Sequence, residues 1–219
     1  MNRLILLGDS TCAVKERTAR PETGWGEAFY SYLDPEWTIL NAAKNGRSTA
    51  SCLREGIFSE ALMTASEGDA AIIQFGHNDQ KTDERGTDPF TSYSANLIYM
   101  ATELRKKGCD VYFVTSVPRH KFENGKPVDS HKDYIAAMKW AGHHLSVPVL
   151  DITIPLMMDL AMLGDEKSKK YYMNFGKGEY PNFIDGKEDN THLRPEGAIW
   201  VAKEIAGGLE KLGCSFIRK

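Results

Sequence analysis

Residues 1–10, MNRLILLGDS, set an unbroken apolar run at positions 4–7 against an abrupt polar stop at Gly8-Asp9-Ser10-Thr11. A short continuous run of this kind suits a strand buried on both faces, as in a parallel sheet, better than one with a solvated side. Gly8 permits a sharp turn and leaves Ser10 at the carboxyl end of the strand, the edge where open α/β sheets bind ligands. Ser10 is therefore a candidate nucleophile. The competing reading is a polar turn in which Asp9, Ser10 and Thr11 only bond the local backbone.

Working outward, strand-like runs recur at residues 37–43, 69–75, 109–117 and 147–152, alongside the first at 3–8. Between them, 24–33, 50–64, 93–107 and 134–145 carry apolar spacings of helices packed on a sheet. A last helix is expected from Pro195, a residue suited to the first helical position. Strands alternating with helices predict βαβ units, an α/β fold with a mainly parallel sheet, and one domain over residues 1–219. Residues 166–190 are irregular and rich in Lys, Gly, Asn and Asp, with Tyr171, Tyr172, Phe175, Tyr180 and Phe183 among them. They read either as solvated loop or as an aromatic wall beside a site.

A chain of 219 residues, 42% hydrophobic and 26% charged, can build one sizeable core. A formal net charge of -3 provides no general basic field, which argues against nucleic acid or an anionic membrane as partner. The first apolar run is too short for a membrane span and ends in Gly-Asp-Ser, so it reads as strand and not as signal peptide. Cys12, Cys52, Cys109 and Cys214 lack CxxC spacing, which argues against a zinc site or disulfide scaffold and for reduced thiols in the cytoplasm. Cys12, so near Ser10, is expected to be a small packing residue. His143 and His144, adjacent in a helical pattern, face different ways and suggest no metal site.

A serine needs a base to take its proton. Of the six histidines, His192 stands out because Asp189 precedes it by three residues in DNTH, just before the Pro195 helix. That spacing lets a carboxylate hold one imidazole nitrogen while the other faces Ser10. The alternative is a surface histidine beside a helix-entry turn. Acyl transfer also needs donors for a developing oxyanion. Gly46, after the second strand, and Asn78, after the third, both fall at the edge where Ser10 lies, although either also suits an ordinary turn.

Together, Gly8-Asp9-Ser10, Gly46, Gly76-His77-Asn78-Asp79 and Asp189-Asn190-Thr191-His192 resemble the ordered blocks of the SGNH hydrolases, or GDSL esterases. GWGEAF at 24–29, NGRSTASCLREGIF at 45–58, GHNDQ at 76–80 and SVPRHKFENGK at 116–126 more narrowly resemble the rhamnogalacturonan acetylesterases of carbohydrate esterase family 12. The resemblance implies a three-layer α/β/α, flavodoxin-like fold with a five-stranded, mainly parallel sheet, and a serine esterase without metal or organic cofactor. It assigns Ser10 as nucleophile, His192 as general base and then acid, and Asp189 as its orienting carboxylate. The oxyanion donors it implies are the Ser10 and Gly46 amides and the Asn78 side chain. Thr11 stands where the GDSL name has leucine, and no catalytic role changes with it.

The implied partner is an acetylated pectic oligosaccharide, whose galacturonates carry carboxylates. Arg47, Arg54, Arg119 and His120 are candidates to read them, since a guanidinium donates two parallel bonds to a carboxylate. Each arginine equally suits a structural ion pair. Trp25 either packs the first helix or lies beneath a sugar ring. A cytoplasmic location implies imported short oligosaccharides. The rival expectations are an SGNH esterase for acetylated xylan, sialate or a lipid or thioester acyl group, and a non-catalytic carbohydrate-binding module. A lipid enzyme should need an apolar channel, whereas the loops here are polar.

Overall fold

The structure is a computed structural model, and it describes residues 2–218. Five parallel strands form the main sheet: β1 (Asn2–Gly8), β2 (Trp37–Asn41), β3 (Ala70–Gln74), β4 (Asp110–Val114) and, beyond a two-stranded hairpin, β7 (Val149–Leu150). The hairpin pairs β5 (Phe122–Glu123) with β6 (Lys126–Pro127). The helices are α1 (Trp25–Ala28), α2 (Thr49–Arg54), α3 (Ile57–Thr64), α4 (Ser94–Lys106), α5 (Asp133–Leu145), α6 (Thr153–Leu163), α7 (Asp165–Ser168) and α8 (Pro195–Lys211).

The apolar run of β1 decides the layering. Leu4, Ile5 and Leu6 are 0% exposed and Leu7 is 1%, and their side chains divide by parity. Leu4 and Leu6 join Ala70 and Ile72 of β3 in a core with Trp25 of α1, Leu156 and Leu160 of α6, and Val201, Ile205 and Leu209 of α8. Ile5 and Leu7 join Ala71 and Ile73 in the opposite core, with Phe58 of α3, Leu97 and Leu104 of α4, and Met138 of α5. A strand whose alternate side chains fill two cores must have helices over both faces. This gives the three-layer α/β/α sandwich expected from the sequence.

The strand order β2-β1-β3-β4-β7 is the flavodoxin-like one. Chain direction across the sheet reverses between β1 and β3, and their carboxyl ends flank the crevice where such sheets bind ligands. Ser10 follows β1 and Asn78 follows β3, so both stand at that crevice.

Four local differences from the sequence expectation have physical causes. The helix expected over 50–64 is two helices, because Gly56 takes φ +77 and turns the chain between α2 and α3. The segment 24–33 is one turn of α-helix followed by a 3-10 turn at Phe29–Tyr32. The last strand contracts to Val149–Leu150, pairing with Phe113 and Val114, before Ile152 and Thr153 turn their amides to the Thr115 hydroxyl. Helix α6 was not anticipated, although Pro155 sits in its first turn, where a missing N–H costs nothing. Among the described residues, no helix is long and apolar enough to cross a membrane. All four cysteines are free.

Candidate active site

The turn after β1 presents Ser10. The Asp9 carbonyl accepts the amides of Cys12 and Ala13, both at 3.1 Å, which folds the chain back after the strand. The Asp9 carboxylate, wholly buried, accepts the Thr11 amide at 2.9 Å and the Thr11 hydroxyl at 2.8 Å through Oδ1, while Oδ2 lies 3.1 Å from His77 Nδ1. Burial raises the Asp9 carboxyl, but the neighbouring His77 and the Thr11 bonds prevail and leave it below its ordinary value. Asp9 thus does two jobs: it braces the serine turn and ties it to the loop after β3.

His192 comes from the other end of the chain. Its Nε2 lies 3.1 Å from Ser10 Oγ, and its Nδ1 lies 2.8 Å from Asp189 Oδ2. Asp189 Oδ1 accepts the amides of Thr191 and His192 at 2.9 and 3.0 Å, so one carboxylate shapes the DNTH turn and orients the ring. Burial raises the Asp189 carboxyl, yet the His192 imidazole and these amides outweigh it and hold it well below the usual carboxylate range. With Nδ1–H donating to this carboxylate, Nε2 is free to accept the Ser10 proton, the arrangement that nucleophilic catalysis by serine requires.

The oxyanion candidates converge from two loops. Residues 44–47 form a turn closed by the Arg47 amide on the Lys44 carbonyl at 3.3 Å, with Gly46 at φ +76. Ser48 caps α2, and Asp79 Oδ1 accepts the Thr49 amide at 3.0 Å and its hydroxyl at 2.6 Å. Burial pushes the Asp79 carboxyl up to about 7 against the pull of Thr49 and Thr87. Asn78 donates one amide hydrogen to the Arg47 carbonyl at 3.0 Å, which fixes the amide plane and leaves its second hydrogen for a ligand. Gly76, at φ +148, lets the preceding turn pass Ser116, whose hydroxyl would lie 2.3 Å from an added Cβ. Among the described residues, the Ser10 and Gly46 amides donate to no protein group.

The remaining sequence candidates separate clearly. Trp25 is 0% exposed; its Nε1 donates to Gln74 Oε1 at 2.7 Å and its ring meets Phe29 edge-on. It packs the core and offers no face to a sugar, which corrects that expectation. His120 is 5% exposed, with Nε2 2.9 Å from Ser168 Oγ and its ring beside Phe122 and Tyr172, so it too faces inward. Its amide donates to the Asn190 carbonyl at 2.8 Å, which braces the turn between Asp189 and His192. The Arg119 guanidinium is spent on Gln80 Oε1 and the Ser130 and His77 carbonyls at 3.0 to 3.2 Å, fastening the Asn78 loop. Arg54 reaches the Glu84 carbonyl at 3.0 Å, away from the serine turn. Arg47 pairs with Glu55 at 2.7 Å while its side chain stays 37% exposed.

Two residues escaped the sequence reading. Arg85 Nη1 comes to 3.8 Å from where a Cβ on Gly46 would stand, so a second guanidinium flanks this turn. Lys15 is buried beneath Ser10. Their nearest partners are local, Asp83 for Arg85 and Ser10 and Glu22 for Lys15, but the contacts that bring them to Gly46 and Asn45 span about 30 or more positions and leave no mark in either local sequence. The segment 166–190 is ordered by its aromatics. Phe175 packs on Tyr180 and Phe183 at 4.6 and 5.7 Å, and the buried Tyr172 hydroxyl donates to the Pro118 carbonyl at 2.8 Å. Met173 then receives the Asp189 amide on its carbonyl, at 3.1 Å, and gives its own amide to the His192 carbonyl at 2.9 Å.

The chain is similar to known proteins over nearly its whole length. The rhamnogalacturonan acetylesterase RhgT of Bacillus subtilis (strain 168) is 39% identical over 212 residues, covering 96% of this chain and 90% of its own. A crystal structure of another Bacillus subtilis protein superposes with a TM-score of 0.85 at 20% identity; it matches 99% of this chain, which spans 58% of that longer one. An acetylxylan esterase of Geobacillus stearothermophilus superposes with a TM-score of 0.64 at 16% identity, over 100% of this chain and 97% of its own. The two structural likenesses concern the fold. Residues 6–198 match the model of the GDSL-like Lipase/Acylhydrolase family, and the chain belongs to that family.

Proposed function

We propose that this chain is a serine esterase that removes acetyl groups from acetylated pectic oligosaccharides, as a rhamnogalacturonan acetylesterase does. The observation that carries the reaction is the relay from Ser10 Oγ to His192 Nε2 at 3.1 Å and from Nδ1 to Asp189 at 2.8 Å. The substrate class rests on the relative with that printed name, similar over nearly the whole chain.

In this reading Ser10 Oγ attacks the acetyl carbonyl as its proton passes to His192 Nε2. The tetrahedral oxyanion is held by the Ser10 and Gly46 amides and by Asn78 Nδ2. His192 returns the proton to the sugar oxygen, the C–O ester bond breaks, and an acetyl-serine remains. Water, deprotonated by His192, attacks this ester and releases acetate and free Ser10. Asp189 stays ionised throughout and stabilises the imidazolium. Replacing Asn78 with alanine is expected to lower kcat roughly 100- to 1,000-fold with a smaller change in KM. A loss of only a few-fold would remove Asn78 from the oxyanion role.

The polar surround, with Arg47, Arg85, Asn174 and Lys187 near the catalytic turns, favours a small acyl group on a polar alcohol. Arg47 and Arg85, which flank Gly46, are the groups proposed to meet the uronate carboxylate. Acetate release should be compared on acetylated rhamnogalacturonan oligomers, acetylated xylan oligomers and a long-chain ester. The first should give the highest kcat/KM, and Arg47→Ala with Arg85→Ala should raise its KM about tenfold while sparing the uncharged xylan oligomers. Preference for xylan oligomers or the long-chain ester would overturn the pectic assignment, and no acetate from any substrate would leave a binding module. The free cysteines accord with a cytoplasmic enzyme acting on imported fragments. Fractionation that recovers the native protein outside the cell would refute that location.

A further inference from the structure

Lys15 is 5% exposed, and a lysine at that depth must have its charge and its three donors satisfied. All three are. The ammonium donates to the Ser10 carbonyl, to Asn45 Oδ1 at 2.6 Å and to Glu22 Oε1 at 2.8 Å. Glu22, itself 8% exposed, neutralises the charge locally. The other two acceptors belong to the two chain segments that carry backbone oxyanion donors: Ser10 itself, and the residue immediately before Gly46.

These segments follow different strands, and the direct backbone tie between them is the Lys44 amide on the Gly8 carbonyl at 3.2 Å. Lys44 and Gly8 lie two residues before Gly46 and Ser10, so this tie leaves both turn tips free to shift. Lys15 closes the gap at the tips. Gly46 is then gripped on both sides, by Lys15 through Asn45 and by Asn78 through the Arg47 carbonyl. An oxyanion site works only if its donors are held within about 0.5 Å of the productive geometry.

We propose that Lys15 is a positioning residue that fixes the Ser10 and Gly46 amides at the separation the oxyanion requires, an inference that rests on the oxyanion assignment above. Asn45 provides the sharpest test because it is exposed, so changing it opens no cavity. Asn45→Ala should lower kcat about tenfold with KM within about twofold, while the melting temperature, which registers one lost acceptor, falls by no more than about ten degrees and the chain stays folded at assay temperature. Asn45→Asp, which keeps an acceptor for the ammonium, should stay within about threefold of the parent. Lys15→Met should lose about 100-fold in kcat, and adding Asn45→Ala to it should cost nothing more, because the two act through one contact.

Parent-like kcat in Asn45→Ala, or fully additive losses in the double variant, would overturn the proposal. So would an Asn45→Asp variant as impaired as Asn45→Ala. If Lys15→Met fails to fold, the two Asn45 variants decide alone. Asn78→Ala separates the two levels: if it loses its expected activity while Asn45→Ala loses none, Lys15 has no such role. If both are parent-like, the oxyanion assignment itself falls.

Discussion

Alanine in place of Ser10 is expected to lower kcat for acetate release by about a millionfold, and alanine in place of His192 by about as much. The two residues form one proton-transfer unit, with Nε2 3.1 Å from Oγ, so removing either removes the attack. The double variant should therefore be no worse than either single one. Both variants should fold, since Ser10 loses one hydroxyl from a turn whose backbone is set by Asp9, and His192 is partly exposed. Cys12 cannot substitute for the missing nucleophile, because burial pushes its thiol well above the usual range and its side chain is wholly enclosed. Mass spectrometry should find an acetyl group on Ser10 in the parent enzyme during turnover and none in Ser10→Ala. More than about one per cent residual activity in Ser10→Ala would sink the assignment, since loss of the nucleophile from a Ser-His-Asp unit leaves far less.

Asparagine in place of Asp189 should cost about 10,000-fold in kcat. The change preserves shape, but an amide nitrogen facing Nδ1 donates where the carboxylate accepted. The ring then carries its proton on Nε2 and cannot take one from Ser10. The same substitution has a signature in stability. The Asp189 carboxyl is held low in the folded chain, so its ionised, hydrogen-bonded form stabilises above the unfolded value of about 3.9 and that contribution fades as pH falls through the folded one. Melting curves of parent and Asp189→Asn should accordingly differ at pH 7 and draw together as pH drops below about 4. A gap that is constant down to the lowest pH would show that Asp189 contributes by packing instead of charge.

Both predictions rest on residues that the sequence marks as candidates, because each stands in a turn whose shape is encoded locally. The run at residues 4–7 announces its double burial, and the Pro195 helix its start. Asp189 and His192 share one turn, so their pairing is a matter of spacing. Assignments that depended on distant partners fared differently. Trp25 is claimed by Gln74, 49 positions along the chain, and His120 by Ser168, 48 positions along. No window of sequence around either residue contains the polar partner that holds its ring nitrogen inside the fold. The break at Gly56 was misread for a different reason: apolar spacing continues across it, and only the positive φ divides the two helices. Lys15 shares the first difficulty, since a lone lysine in a polar loop looks solvated until Asn45, 30 positions along, is brought to it.

Ser10 and His192, the proposed nucleophile and base, are 182 positions apart, joined only when β1 has entered the sheet and the turn before α8 has docked beside it. A chain still emerging from the ribosome lacks both this base and α8, whose Val201, Ile205 and Leu209 complete the core over Leu4 and Leu6. On the proposed assignment, hydrolysis is therefore a readout of finished folding: each turnover would certify that the first strand and the last helix of the sandwich have met, and a nascent or clipped chain without residues 189–192 would stay silent.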